Sequence, residues 1–202
     1  MTAHPRMVPE GAVSEATARG RLPADDKAER FRALALPHLD DVYTLARYLL
    51  RDPADAEDAA QECYLRAFRH FGTFRGDAIK PWLLAILRNV CRAEYARRGK
   101  LAAVRADLDD EAAEAACEGL WGDASASPET ASLTNLDAET ARRLIAQLPG
   151  VFREVLVLRE VNDLSYRDIA DVIAAPVGTV MSRLARARNL LRQAWAAEET
   201  KG

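Results

Sequence analysis

The sequence predicts an all-α protein of two helical domains joined by a flexible acidic linker. Three observations predict it. Apolar residues recur at three- and four-residue steps through residues 26–100 and again through 136–197, the spacing of one helix face. Residues 101–135, between them, carry a net charge of −7 and are rich in small residues. No strand pattern appears anywhere in the 202 residues. With 49% hydrophobic and 29% charged residues the chain has the composition of a globular protein, long enough for one or two small cores.

The elements follow in order. Residues 1–25 are rich in Pro, Gly, Ala and Thr without periodicity and read as a flexible tail. Phe31, Leu34, Leu39, Val42, Leu45, Ala46 and Leu49 then stand near helical spacing, with Pro37 kinking or starting a helix among them. Asp52-Pro53 is a turn and helix-start signal. In the helix it opens, Ala56, Ala59, Ala60, Cys63, Leu65 and Phe68 form an expected inner stripe, and Asp55, Glu57, Asp58, Gln61 and Glu62 lie mostly on the other side. The loop "GTFRGD" follows, and then a long helix that tolerates Pro81 in its first turn. The linker "DLDDEAAEAACEGLWGDASASPET" holds one isolated aromatic, Trp121. Helices resume with Leu144, Ile145 and Leu148 on one face, then Val151, Phe152, Val155, Leu156 and Leu158.

The most informative stretch is "LSYRDIADVIAAPVGTVMSRLARAR", Leu164 to Arg188. Ser165 and Asp168 have the spacing of a capping box, and Ile169, Val172 and Ile173 form an inner face. "AAP" breaks the helix, and Pro176 suits the start of the next. There Val177, Val180, Leu184, Ala187 and Leu191 are the expected buried side, which leaves Thr179, Met181, Ser182, Arg183, Arg186 and Arg188 on the remaining arc. This is a helix-turn-helix layout. The first turns of such a second helix can touch base edges in the major groove, while later arginines hold phosphates. The plain alternative is an amphipathic hairpin with a solvated arginine face.

Other chemistries find little support. Cys63, Cys91 and Cys117 are odd in number and widely spaced, which suits free thiols rather than a zinc site, and His4, His38 and His70 are scattered. No glycine-rich phosphate loop or nucleophile elbow occurs. No apolar run approaches the ~20 residues of a membrane span, and no secretion signal opens the chain, so a cytoplasmic location is expected. The overall charge of −3 sits badly with nucleic-acid binding, but the acid is concentrated in the linker and the flanking domains are mildly basic.

The residues "LPGVFREVLVLREVNDLSYRDIADVIAAPVGTVMSRLARARNLLR" resemble the promoter −35 binding domain of bacterial RNA polymerase sigma factors, above all the extracytoplasmic-function (ECF) group. The run from Leu164-Ser165-Tyr166 through Pro176-Val177-Gly178-Thr179-Val180 to Ser182-Arg183-Leu184 and Arg186-Ala187-Arg188 carries that resemblance. "DPADAEDAAQECYLRAFRHFGTFRGDAIKPWLLAILRNVCRAEYARR" is similar to the sigma domain that binds core polymerase and the −10 element, through Asp55 to Glu62, Phe68-Arg69, Trp82-Leu83 and Arg88-Asn89. The chain departs from the pattern in places. Met181 stands where many relatives carry a basic residue, and Ala93, followed by Glu94, stands where many carry an acid. The tail and linker exceed the minimal family pattern.

The resemblance implies a sigma factor that binds core RNA polymerase and directs initiation at promoters. It implies that Asp55, Glu57, Asp58, Gln61 and Glu62 dock on the β′ clamp helices. It implies that Phe71, Thr73, Phe74, Arg75, Asp77 and Lys80 capture the −10 strand, with Arg88, Asn89, Arg92, Arg97 and Arg98 on backbone and duplex. It implies −35 contacts by Ser165, Tyr166, Pro176, Gly178, Thr179, Met181, Ser182, Arg183, Arg186 and Arg188. Trp82 is expected in the core rather than in the site. The implied partners are core polymerase (β′ clamp helices and β flap), promoter DNA and an anti-sigma factor. No cofactor, metal or catalytic residue is expected, and no membrane insertion. Two other readings compete: a stand-alone helix-turn-helix regulator using residues 136–195, which leaves residues 30–100 unexplained, and a helical adaptor or inactive decoy.

Overall fold

A computed structural model describes residues 23–76, 78–97 and 138–200. Within them all regular structure is helical. The first domain runs α1 (Pro23–Ala35), a 3-10 turn (Leu36–His38), α2 (Leu39–Leu50), α3 (Pro53–His70), a second 3-10 turn (Phe71–Thr73) and α4 (Ile79–Arg97). The second runs α5 (Ala138–Gln147), α6 (Gly150–Glu160), α7 (Tyr166–Ile173) and α8 (Val177–Glu199). The tail up to residue 22, the linker with Trp121 and Cys117, Asp77 and Arg98 lie outside the described residues.

Local signals place these boundaries. Pro37 lies in the 3-10 turn that separates α1 from α2. The Asp52 carboxylate accepts a hydrogen bond from the Asp55 backbone N–H at 3.0 Å and caps α3, whose first residue is Pro53. The inner face of α3 is Ala56, Ala59, Ala60, Cys63 and Ala67, small enough for α2 and α4 to pack closely against it. Two tyrosines tie the bundle: Tyr64 donates to the Ala35 carbonyl at 2.9 Å, and Tyr95 to that of Leu49.

The inner stripe of α3 is narrower than the spacing predicts. Leu65 is 53% exposed and Phe68 39%, and Leu34 and Leu39 also face outward. The alanines and Cys63 already fill the arc that faces α2 and α4, so the two larger residues fall on the flank.

The two domains share one continuous hydrophobic core. Helix α2 packs on α6, and α4 packs on α7. As a result every residue from Gly150 to Leu158 is buried, Arg153 and Glu154 included. A helix covered all round lies inside a core, not on the surface of a small domain. One side of α6 meets α8 and α7, and the other meets the first domain.

Burial also governs the thiols of Cys63 and Cys91. Both are pushed from 9.0 up to about 12, chiefly by desolvation of the thiolate. The folded state therefore keeps these protons where the unfolded chain loses them, and stability falls as pH rises from about 9 towards about 12. At pH 8 a thiol reagent is expected to modify Cys63 and Cys91 only at the rate of unfolding. Peptide mapping of alkylated protein, native against denatured, checks this, and rapid native labelling of either cysteine would refute it.

Candidate nucleic-acid interface

The second domain builds its outward face from a capped turn. The Ser165 hydroxyl oxygen accepts the Asp168 N–H, and the Asp168 carboxylate accepts the Ser165 N–H, both at 3.2 Å, which starts α7 in a closed capping box. Ile169, Ala170, Val172 and Ile173 are buried beneath it. Helix α7 ends at Ala174 in the left-handed conformation (φ 54°), and Pro176 starts α8 by accepting the N–H groups of Thr179 and Val180. Tyr166 packs against the core with the Arg159 guanidinium 5.4 Å from its ring centre.

In α8, Val180, Leu184, Ala187 and Leu191 are buried, and Val177 is not: it is 38% exposed. It is the first residue of the helix. Pro176, Gly178, Met181 and Ser182 are exposed with it, Met181 at 54%. A Cβ added at Gly178 meets nothing within 4 Å, so this surface is open up to the backbone. Thr179, Arg183 and Arg186 are half-buried on the flank. Arg188, further along, is engaged by Glu160 at 2.7 Å. The helix therefore presents short and apolar groups at its leading end and basic groups behind them.

On the first domain, Glu57, Asp58 and Gln61 are exposed, and Asp55 and Glu62 are half-buried. Glu62 pairs with Arg66 at 2.6 Å. Beside this acidic stripe lies an apolar cleft of about 600 Å³ between α1 and α3, with Phe31, Leu36, Leu39, Tyr64, Leu65 and Phe68 in its lining. The sequence reading missed it, because helical spacing alone assigned Leu39, Leu65 and Phe68 to the core.

The loop after α3 is held by its own residues. Thr73 donates to the His70 carbonyl at 2.7 Å, and Arg75 donates to the carbonyls of Gly72 and Phe74 at 2.7 and 3.0 Å. Phe71 is buried, stacked on half-buried Phe74, which rests 5.1 Å from Trp82. Trp82 packs against the core, as expected. Lys80 is paired with Asp41 at 2.9 Å, and His38 contacts the other oxygen of that carboxylate. Burial raises the Asp41 pKa, but the bonds from Lys80 and His38 outweigh it and hold the carboxyl below its ordinary range. Asn89 and Arg92 are exposed, and Arg97 pairs with Glu94. Arg88 departs from its neighbours: it is 8% exposed and bonds Glu154 of the second domain at 2.7 Å.

Comparison with known proteins identifies the family. The family model "Sigma-70 region 2" matches residues 34–101, and "Sigma-70, region 4" matches residues 129–191. Over 169 residues the chain is 38% identical to the RNA polymerase sigma-H factor of Pseudomonas aeruginosa, covering 81% of this chain and 85% of that one. The chain belongs to the sigma-70 family. This sigma factor is also 33% identical to the ECF RNA polymerase sigma-E factor of Escherichia coli, over 83% of its own length and 86% of the relative's, which sets it in the extracytoplasmic-function group. Among solved structures it resembles the sigma factor RpoE from Bartonella quintana, solved in complex with the anti-sigma factor NepR (TM-score 0.61, 26% identity, 82% of this chain and 96% of that one). It shares its fold with CnrH, solved with the cytosolic domain of CnrY (TM-score 0.53, 24% identity, 86% and 95% covered).

The all-α reading therefore holds, and with it the role of a transcription initiation factor that binds core RNA polymerase and promoter DNA. A region 2 match over the first domain leaves no room for a stand-alone regulator built on the helix-turn-helix alone. The family is one of initiation factors rather than enzymes. No helix among the described residues is long and apolar enough to cross a membrane.

Proposed function

We propose that this sigma factor divides its work as follows. Residues 26–100 form the domain that binds core polymerase and the −10 element, and residues 136–197 the domain that reads the −35 element, with 1–25 as tail and 101–135 as linker. The face of Asp55, Glu57, Asp58, Gln61 and Glu62 docks on the β′ clamp helices, with the adjoining cleft as its apolar half. The second domain meets the β flap. The segment from Gly72 to Lys80, seated on the buried Phe71, and the outer face of α4 engage the −10 strand. Ser165, Tyr166 and the leading face of α8 engage the −35 duplex. An anti-sigma factor controls the protein, a reading supported by the neighbour solved with one. The work is cytoplasmic, where the polymerase is.

The observation that carries this reading is the leading end of α8. Val180, Leu184, Ala187 and Leu191 are packed beneath it, while Gly178, Met181 and Ser182 are exposed on its first turns, with nothing within 4 Å of a Cβ added at Gly178. Reconstituted transcription with core polymerase on DNA upstream of the protein's own gene tests it. Defined transcripts that require the protein are expected, with start sites that locate both elements. Tight duplex binding in the absence of polymerase, with no transcript, would sink the assignment.

Met181 makes a sharper prediction. A thioether cannot donate to guanine, but it can contact a thymine methyl in the major groove. Replacing thymine by uracil removes that methyl, worth about 0.8 kcal/mol, or roughly fourfold in affinity. One thymine of the −35 element is expected to show this loss with the wild type and none with Met181→Ala. Equal losses in both proteins would remove Met181 from the reader.

A further inference from the structure

The seam between the domains contains an arrangement that promoter binding does not need. Arg88 lies on α4 beside exposed Asn89, on the side assigned to −10 DNA, yet it is buried. Its Nε donates to Glu154 Oε1 at 2.7 Å across the seam. Glu154 is 2% exposed in the middle of α6, and its second oxygen accepts no hydrogen bond among the described residues. Nearby, Asn162 Nδ2 donates to the Asp41 carbonyl of the first domain at 3.2 Å, and Asn162 Oδ1 likewise accepts nothing. Asp41 in turn holds Lys80, a second cation of the same assigned surface.

We infer that Glu154 is a latch: in the unpartnered protein it occupies Arg88 as a DNA phosphate would, and it locks the two domains shut until polymerase and promoter draw them apart. This rests on the assignment of Arg88 to the −10 side. Three features of the seam support a latch over a permanent joint. A buried ion pair contributes little net stability compared with apolar packing, but it specifies one arrangement. Two buried acceptors without donors are a standing cost to the closed form. And the cation held is one for which phosphate oxygens compete directly, since arginine binds carboxylate and phosphate in the same way. The leading end of α8 stays exposed when the latch is shut, so closure withholds the −10 side and the separation of the two readers rather than the −35 face itself.

The consequence is a two-state chain whose affinity for polymerase is reduced by the fraction that is closed. Small-angle scattering of the full chain, together with its affinity for core polymerase, tests this. Wild type is expected to scatter as the closed structure. Glu154→Lys, which sets like charges together at the seam, is expected to enlarge the radius of gyration and bind polymerase several-fold more tightly. Adding Arg88→Glu to that variant restores a pair of opposite sign, and compactness should return. Circular dichroism confirms that each variant keeps its helices. Should Glu154→Lys fail to fold, Glu154→Gln, which keeps shape and loses charge, is read in its place against the wild-type curve. An already extended wild type, or a folded variant with unchanged scattering and affinity, overturns the latch. Failure of reconstituted transcription alongside charge-dependent closure would instead refute the promoter assignment, and with it the phosphate-mimic role of Glu154, while leaving the domain closure itself standing.

Discussion

Glu57→Lys combined with Asp58→Lys is expected to abolish reconstituted transcription while leaving the fold intact. Both side chains are exposed on α3, away from the buried alanine face, so the change touches no packing. Exposed single charges contribute little to stability, and melting should barely move. Binding is another matter. If this face meets the basic side of a clamp helix, two reversals turn attraction into like-charge juxtaposition, which costs several kcal/mol. That corresponds to roughly a hundredfold or greater loss of affinity for core polymerase. Titration of labelled protein with core enzyme measures it, and binding of the same variant to a −35 duplex serves as the internal control. A variant that still binds polymerase at wild-type strength would remove the acidic face from the interface.

Phe152→Ala is expected to have the opposite profile. Phe152 is 1% exposed on α6, the helix on which α8 and α2 both pack. Truncation removes a ring from a site closed on both sides, where little can move in to fill the space, and costs about 3–5 kcal/mol. That is a large part of the roughly 5–15 kcal/mol that holds a typical domain folded. For a chain of this size it lowers the melting temperature by about 6–20 °C, at 2–4 °C per kcal/mol. Thermal unfolding followed by circular dichroism checks it, and a shift under a few degrees would mean that α6 is less enclosed than described. Phe68→Ala is the natural contrast. It removes the same ring from a position 39% exposed beside the apolar cleft, where it meets Phe31 edge-on, so it should cost far less stability than Phe152→Ala and weaken polymerase binding.

Much of this architecture was legible in the sequence because it is local. Helical periodicity, the Asp52-Pro53 start, the Ser165–Asp168 capping box and the Pro176 break all act within a few residues, and their interactions appear in the structure at the expected positions. The inner faces of α5, α6, α7 and most of α8 followed from the same periodicity. The errors have a common origin. Leu34, Leu39, Leu65, Phe68 and Val177 have core chemistry at core spacing, yet each lies on a flank that its neighbouring helices cover only in part. Spacing gives the angle of a residue around its helix, not how wide an arc its neighbours cover. For the candidate site, residue type and order suggested which side chains meet polymerase and DNA, but not which of them are already engaged.

What the sequence determined by itself was the helical content, the two-part organisation and the layout of a sigma-70 protein, because those rest on short-range order and on motifs. Only the tertiary structure decided the state of the charges. Arg88 and Glu154 are 66 residues apart. Nothing in the spacing of either announces the other, and both read as ordinary positions on their own helices. Their meeting depends on α2 packing on α6 while α4 packs on α7, and burial then turns two charges that would be minor at a surface into the polar centre of the seam.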